Sequence, residues 1–179
     1  MENENKAVAL LAEQLATICG YSQQKVRQIK VAAALHDVGK NRISKQILNK
    51  VGKLTKQEFE EMKMHTIYGS DCLSSMQGAL GKMVQGVALL HHEKWDGSGY
   101  WGYKTSSLPR YIGIVSICDT YCALTFERIY KPAWTLDEAL VYITNQAGKQ
   151  FCPELVNIFI PLIRDNNSVS GISKSKLSA

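Results

Sequence analysis

Apolar residues recur at helical intervals along almost the whole chain. In the first segment one helical face collects Val8, Leu11, Leu15 and Ile18, and Gly20 then ends the pattern. No run of alternating apolar and polar residues is long enough to predict a sheet. The pattern therefore predicts an all-α fold, a bundle of amphipathic helices.

Polar residues ahead of the apolar stretches mark the starts of further helices. Ser22 offers a cap for a second helix that runs into His36. Thr55 and Glu58 have the spacing of a capping box, in which the hydroxyl and the carboxylate bind free backbone N–H groups. The helix that starts there is predicted to carry His65.

The second half of the chain predicts four more helices and a tail. Residues 80–92 form an apolar stretch that ends in two histidines, and the next helix has Asp119 beside a buried face of Tyr111, Val115, Cys118 and Cys122. Shorter helices are predicted near 135–147 and 153–163. Residues 165–179 are polar and aperiodic, so we expect one domain over 1–164 followed by a disordered tail.

Composition fits a globular domain that binds a small anionic ligand. The 179 residues are 45% apolar and 21% charged, which is ordinary for a single core. The net charge of +5 comes from scattered Lys and Arg residues and suits a few phosphate contacts better than DNA or RNA. The chain lacks both an apolar stretch of about 18 residues and a signal-peptide core, so we expect a cytoplasmic protein without membrane contact.

The histidines carry the strongest chemical signal. A single histidine on a helix is more often a core or surface group than a ligand. Packing alone, however, gives no reason to place histidines beside carboxylates at helix ends, because a buried carboxylate is costly unless it is paired or bound to a metal. The residues in question are His36, Asp37, His65, His91, His92 and Asp119. This mixed nitrogen and oxygen set suits Fe or Mn, and Zn less exclusively, in a dinuclear centre.

A dinuclear centre predicts a hydrolase that acts on phosphodiesters. Two ions about 3.5 to 4 Å apart clamp a phosphate ester and generate a bridging hydroxide at neutral pH. Lys40 lies one helical turn after His36, and Arg128 and Lys131 follow Asp119. Each cation alone is a solvated surface charge by default, but beside such a centre they would hold phosphate oxygens.

The motifs together resemble a known family. They read HDVGK, HTIYGSD, HHEKWDGSGYWG, ICDTYCALTFERIYK and QAGKQFCPELVNIF. Over residues 6–163 they are similar to an HD-GYP domain, the bacterial branch of the HD phosphohydrolases that degrades cyclic di-GMP. The resemblance implies a helical HD bundle with six metal ligands: His36, Asp37, His65, His91, His92 and Asp119. Asp37 would bridge two divalent ions, Fe or Mn.

The resemblance also implies a substrate, an activity and partners. The activity would be hydrolysis of cyclic di-GMP to pGpG or GMP, with His36, Asp37 and Lys40 as the catalytic group. Lys40, Arg128 and Lys131 would contact the substrate phosphates, while Gly99 and Tyr100 belong to the loop that names the family. Relatives imply an upstream sensory or receiver domain in a longer protein, and a GGDEF-type protein partner.

Two departures from the family pattern leave alternatives open. Glu4 aligns where relatives have a first-helix histidine that can hold a further metal, so we expect two ions. Trp101 replaces the proline of the loop, which restores an N–H donor and predicts a more mobile loop. Trp95, Trp101 and Tyr103 either stack on a guanine or plug the helix ends. The alternative functions are a non-hydrolysing metal-binding module for a nucleotide or protein partner, and hydrolysis of another nucleotide.

Overall fold

Helices make up most of the part of the chain that the structure describes. The computed structural model describes residues 2–127 and 132–175, with side chains for 3–127 and 132–166. Within these ranges an isolated bridge between Ala147 and Phe151 is the only extended pairing. The predicted all-α fold is confirmed.

The described part of the chain contains eight α-helices and two short 3₁₀ segments. The helices are α1 (Glu2–Ile18), α2 (Gln23–Leu35), α3 (Lys45–Leu48), α4 (Lys56–Cys72), α5 (Gly78–Leu90), α6 (Arg110–Thr125), α7 (Leu136–Asn145) and α8 (Pro153–Ser175). The 3₁₀ segments are Val38–Arg42 and Thr105–Ser107. None of the described helices is long and apolar enough to cross a bilayer.

Polar caps start the helices where the sequence predicts them. The hydroxyl of Ser22 accepts a hydrogen bond from the backbone N–H of Lys25 at 3.3 Å, so the predicted cap of α2 is confirmed. Thr55 and Glu58 form both hydrogen bonds of the predicted capping box at the start of α4. Thr135 and Glu138 form a second box at the start of α7, which the same Thr-x-x-Glu pattern could have revealed.

The core lies where α1, α2, α5 and α6 pack together. Helix α1 contacts α2 and α6, and α2 also contacts α5. The prediction that Ile18 faces the core is wrong, since it is 55% exposed. The fully buried Ala12 and Ala16 move the centre of the α1 face away from it, and small residues give little sequence signal for such a shift. Tyr111 in α6 is half-buried rather than buried.

The last helix extends past the predicted domain boundary. Helix α8 runs to Ser175, so it is longer than the predicted 153–163 and enters the segment expected to be a tail. The amide of Asn166 donates a hydrogen bond to the side-chain oxygen of Gln14 at 3.0 Å, which ties this part of α8 to α1. The division at residue 164 remains a prediction.

Candidate metal centre

Helices α2, α4, α5 and α6 bring the candidate ligands to one place. His36 and His91 are the residues that end α2 and α5, and both side chains are buried. His65 projects from the middle of α4, and Asp119 from α6. Because α2 and α5 pack against each other and α5 also packs against α4 and α6, the ligands converge although they are far apart in the sequence.

A close approach between the 3₁₀ segment Val38–Arg42 and α4 fixes Asp37. A side chain at Gly39 would collide with the carbonyl oxygen of His65 and with the backbone nitrogen of Gly69. Only glycine therefore allows the segment that follows Asp37 to lie directly against the helix that carries His65. This contact sets the position of the Asp37 carboxylate relative to the histidines.

The two oxygens of Asp37 face different histidines. Oδ2 lies 3.3 Å from Nε2 of His36, whereas Oδ1 lies 3.4 Å from Nε2 of His65 and 3.7 Å from Nε2 of His91. Oδ1 of Asp119 lies 3.3 Å from Nε2 of His36. Two overlapping groups of potential ligand atoms result within the described residues: Asp37, His65, His91 and His92, and His36, His91 and Asp119.

The outer ring nitrogens orient the histidines toward the centre. Nδ1 of His36 donates to the carbonyl oxygen of Ala33 at 2.7 Å, and Nδ1 of His65 donates to that of Met62 at 2.6 Å. Nδ1 of His91 lies 3.1 Å from two carbonyl oxygens of its own helix. A carbonyl only accepts, so Nδ1 carries a proton in each of these rings and Nε2 is the nitrogen that faces the centre, where it binds a metal once it carries no proton.

The inward atoms fit metal ligands better than hydrogen-bonding partners. Nε2 of His36 and Oδ1 of Asp37 are buried and have no hydrogen bond of acceptable geometry. A buried polar atom without a partner is costly. Metal ligands at about 2.1 Å from an ion lie about 3.0 to 3.4 Å from each other, and most separations here are close to that range. The donor set therefore fits a metal centre.

Electrostatics favour a cation at this place. Burial acts to lower the pKa of His36, but the carboxylates of Asp37 and Asp119 outweigh it and raise the pKa to about 10. Burial acts to raise the pKa of both carboxyl groups, but His36 outweighs it and holds both below their usual range. A positive charge is thus stabilised between the two carboxylates.

The remaining histidines are held neutral, as metal ligands must be. Burial lowers the pKa of His65, and it lowers that of His91 well below the usual value. Burial also lowers the pKa of His92 to about 4. Neutral imidazoles do not have to lose a proton before they bind a metal.

Lys40 and the glycine-rich loop lie at the edge of the centre. Nζ of Lys40 is 2.5 Å from Oδ2 of Asp37, and the Lys40 side chain is 24% exposed. The ring of Tyr100 lies over His92, with the centroids 4.4 Å apart and the planes at 30°. Gly99 fits so closely that a Cβ would lie 2.5 Å from Cα of Glu93. These residues form the rim of the candidate site.

Trp101 differs from the sequence expectation. Its restored N–H does not free the loop, because it donates to Oε1 of Glu93 at 2.7 Å. Its indole N–H donates to Oγ1 of Thr66 at 3.1 Å, so Trp101 is tied into the protein. Trp95 packs against the core, whereas Tyr103 is 57% exposed. Trp95 and Trp101 are therefore held by contacts within the protein, and stacking on a guanine stays a prediction.

Sequence reasoning missed four residues around the loop. They are Phe59, Lys63, Thr66 and Glu93. The buried Glu93 directly follows the two histidines, and that adjacency was the available signal. The other three lie on α4 near His65, but their proximity to the loop depends on tertiary packing.

Of the three remaining candidate residues, Arg128, Lys131 and Glu4, the structure describes Glu4. Arg128 and Lys131 lie outside the described residues. Glu4 is half-buried on α1. Burial, followed by the charges of Asp119 and Glu4, raises the pKa of Cys122 to about 12.

Comparison with known proteins identifies the family. A family model described as an HD domain matches residues 1–155. The chain is 40% identical over 161 residues to the cyclic di-GMP phosphodiesterase response regulator RpfG of Xanthomonas campestris pv. campestris, covering 89% of this chain and 42% of that protein. It is 38% identical over 154 residues to 3'3'-cGAMP-specific phosphodiesterase 2 of Vibrio cholerae serotype O1, covering 86% and 30%. The chain spans less than half the length of both relatives.

A solved structure agrees on the fold. Bd1817, described as an HDG"Y"P protein from Bdellovibrio bacteriovorus, superposes with a TM-score of 0.72 at 17% identity, over 91% of this chain and 52% of that one. At 17% identity this structural similarity supports the fold and nothing further. The family match over most of the chain confirms the resemblance found in the motifs, and the chain belongs to the HD-domain family.

Proposed function

We propose that this chain is a metal-dependent phosphodiesterase that hydrolyses cyclic di-GMP to pGpG or GMP. The observation that carries the proposal is the Asp37 carboxylate, whose two oxygens face His36 on one side and His65 and His91 on the other. A carboxylate in that position is suited to bridge two ions. The names of the relatives support a cyclic dinucleotide as the substrate class.

Two divalent ions, Fe or Mn, would occupy the two ligand groups. One group contains Asp37, His65 and His92, the other contains His36 and Asp119, and His91 belongs to both. When bound, the ion pair supplies Lewis acidity toward the phosphate and lowers the pKa of water. The mixed imidazole and carboxylate set supports Fe or Mn over a metal that prefers thiolates.

The protein residues hold the substrate and its charge. The ammonium group of Lys40 lies beside Asp37, from which it can reach a non-bridging phosphate oxygen. Burial, followed by the charges of Asp37 and Asp119, raises the pKa of Tyr100 to about 12, so its hydroxyl keeps its proton at neutral pH and can donate a hydrogen bond. Gly99 allows the close approach of that loop, and Arg128 and Lys131 complete the proposed phosphate contacts.

The relatives also bear on substrate choice and on the whole protein. The similarity to a 3'3'-cGAMP-specific enzyme favours that dinucleotide as a second candidate substrate. Because the chain spans 42% of the RpfG relative, we propose that a sensory or receiver domain accompanies it in a longer cytoplasmic protein. A GGDEF-type protein is the proposed partner.

The first experiment joins metal content to product formation. Protein purified without oxygen is analysed for metal by mass spectrometry, and the same sample is incubated with cyclic di-GMP, 3'3'-cGAMP or guanosine tetraphosphate. We expect about two Fe or Mn ions per chain, with hydrolysis of a cyclic dinucleotide but not of the tetraphosphate. Metal without any product would support the non-hydrolysing alternative, and product from the tetraphosphate alone would assign another substrate.

A charge-removing variant tests the bridging carboxylate. Asp37→Asn should release at least one ion and reduce hydrolysis by more than about 100-fold, because an amide is a poor bridge between two cations. Asp71→Asn is the matched control, since Asp71 is 66% exposed and pairs with the surface residue Arg42. Full metal content in Asp37→Asn would refute the dinuclear assignment.

A further inference from the structure

The loop between α5 and α6 is anchored at its base. The backbone N–H groups of Gly97 and Thr105 both donate to the carbonyl oxygen of Lys94, at 3.1 and 3.0 Å. The N–H of Trp95 donates to the carbonyl oxygen of Gln150 at 3.1 Å, which fixes the base to the segment before α8. These bonds hold residues 94–97 and 105, but they do not reach the tip that carries Tyr100.

A buried carboxylate holds the tip from below. Glu93 is 1% exposed, and each of its oxygens accepts one backbone N–H. Oε1 accepts from Trp101 and Oε2 accepts from Tyr103, both at 2.7 Å. Hydrogen bonds to a charged acceptor away from water are among the stronger ones in proteins. The chain on the far side of Tyr100 is therefore fixed by its backbone.

Helix α4 holds the tip from the side. The indole N–H of Trp101 donates to Oγ1 of Thr66 at 3.1 Å, and Thr66 is fully buried next to His65. Nζ of Lys63 lies 5.3 Å from the centroid of the Trp101 ring, within range of a cation–π contact. Trp101 is thus bound through its backbone and through both the edge and the face of its side chain.

Tyr100 lies directly before this anchored residue. Its ring contacts His92 at 4.4 Å between centroids and Phe59 at 5.6 Å. On its other side, Gly99 lies so close to Glu93 and His92 that a Cβ would be 2.7 Å from the carbonyl oxygen of His92. The ring can keep its place over His92 only while both neighbours keep theirs.

We propose that Trp101 is a positioning residue that fixes Tyr100 over His92, acting through its hydrogen bonds to Thr66 and Glu93, and so determines how tightly the cyclic dinucleotide binds. The inference rests on the proposed function for its substrate. The anchoring itself is a property of the loop and can be measured without any reaction.

Two single variants remove the same hydrogen bond from opposite ends. Trp101→Phe keeps an aromatic ring and the backbone N–H but lacks the indole donor, and Thr66→Val keeps the volume but lacks the acceptor. Each should raise KM about five-fold, the equivalent of about 1 kcal/mol for one hydrogen bond, with kcat changed less than two-fold. The double variant should be no worse than the poorer single variant, because both remove one shared interaction.

Thr144→Val is the matched control. The hydroxyl of Thr144 donates to the carbonyl oxygen of Leu140 on its own helix at 2.8 Å, much as that of Thr66 donates to Lys63 at 2.9 Å, but Thr144 lies on α7 rather than on α4. The Thr144→Val variant should leave KM unchanged. A change in kcat with unchanged KM in Trp101→Phe and Thr66→Val would overturn the inference.

Amide hydrogen exchange separates this inference from the proposed function. In Trp101→Phe and Thr66→Val, residues 99–103 should exchange faster than in the wild type, while α6 and the metal content stay unchanged. If the wild type hydrolyses no cyclic dinucleotide, the proposed function fails, yet faster exchange confined to the loop would still support the positioning role. Unchanged exchange in the loop would refute it.

Discussion

At the scale of single residues, chemistry and close packing act on the same few positions. The inward nitrogen of His36 and one oxygen of Asp37 are buried without hydrogen bonds, which is the local sign of a ligand site. Glycine has an equally local role at Gly39 and Gly99, where a Cβ would meet backbone atoms of the elements that carry His65 and His92. Replacing either glycine should act through geometry, without removing a functional group.

Two glycine variants test this geometric role. At Gly99, an added Cβ would lie 2.5 Å from Cα of Glu93, so Gly99→Ala should displace Tyr100 and lower activity by about 100-fold. At Gly86 in α5 nothing lies within 4 Å of an added Cβ, so Gly86→Ala should raise stability by about 0.5 to 1 kcal/mol with normal activity. Steady-state kinetics and thermal unfolding measure both, and normal activity of Gly99→Ala would contradict the close fit.

At the scale of elements, four helices bring parts of the site, and two of them, α2 and α4, start from side-chain caps. Helices α2 and α5 end at His36 and His91, and α4 starts from the Thr55 capping box before it reaches His65. Helix α7 starts from an equivalent box at Thr135 but carries no candidate ligand. The two boxes therefore allow helix stability to be separated from metal binding.

Removing each cap should cost stability and leave the metal in place. Thr55→Ala and Thr135→Ala each remove a hydroxyl that accepts from the third residue of the helix, at a cost of about 1 kcal/mol. We expect Tm to fall by about 2 to 4 °C in both variants, with unchanged metal content. Loss of metal from Thr55→Ala alone would mean that the first turn of α4 also helps to position His65.

At the scale of the whole molecule, the candidate centre connects α2, α4, α5 and α6. Its ligands come from all four helices, and three of these helices also contribute to the buried core. A metal that binds only this arrangement stabilises the folded chain over the unfolded one. The bundle and the centre should therefore be thermodynamically linked.

Chelation measures that linkage. Metal at 100 times its dissociation constant should add about 2.7 kcal/mol, so removing it should lower Tm by about 5 to 10 °C. Calorimetry of metal-loaded and chelated protein gives the shift. The Asp37→Asn variant is the control and should shift less, and an equal shift in that variant would indicate that the metal binds elsewhere.

The sequence by itself determined the helices and the candidate ligands. Helical periodicity and the caps at Ser22 and Thr55 depend on neighbours within a few residues, so they could be read from the chain. The histidines and aspartates were found because a metal centre requires those side chains. The family followed from the order of the same motifs.

Only the tertiary structure decided how these residues face one another. The packing of Gly39 against α4 places Asp37 so that Oδ2 faces His36 and Oδ1 faces His65. The anchoring of Trp101 depends on the proximity of Glu93 and Thr66. The exposure of Ile18 was likewise settled by the packing of α1 against other helices. Periodicity describes one helix at a time, whereas these features arise between elements, and that is the physical reason the sequence did not reveal them.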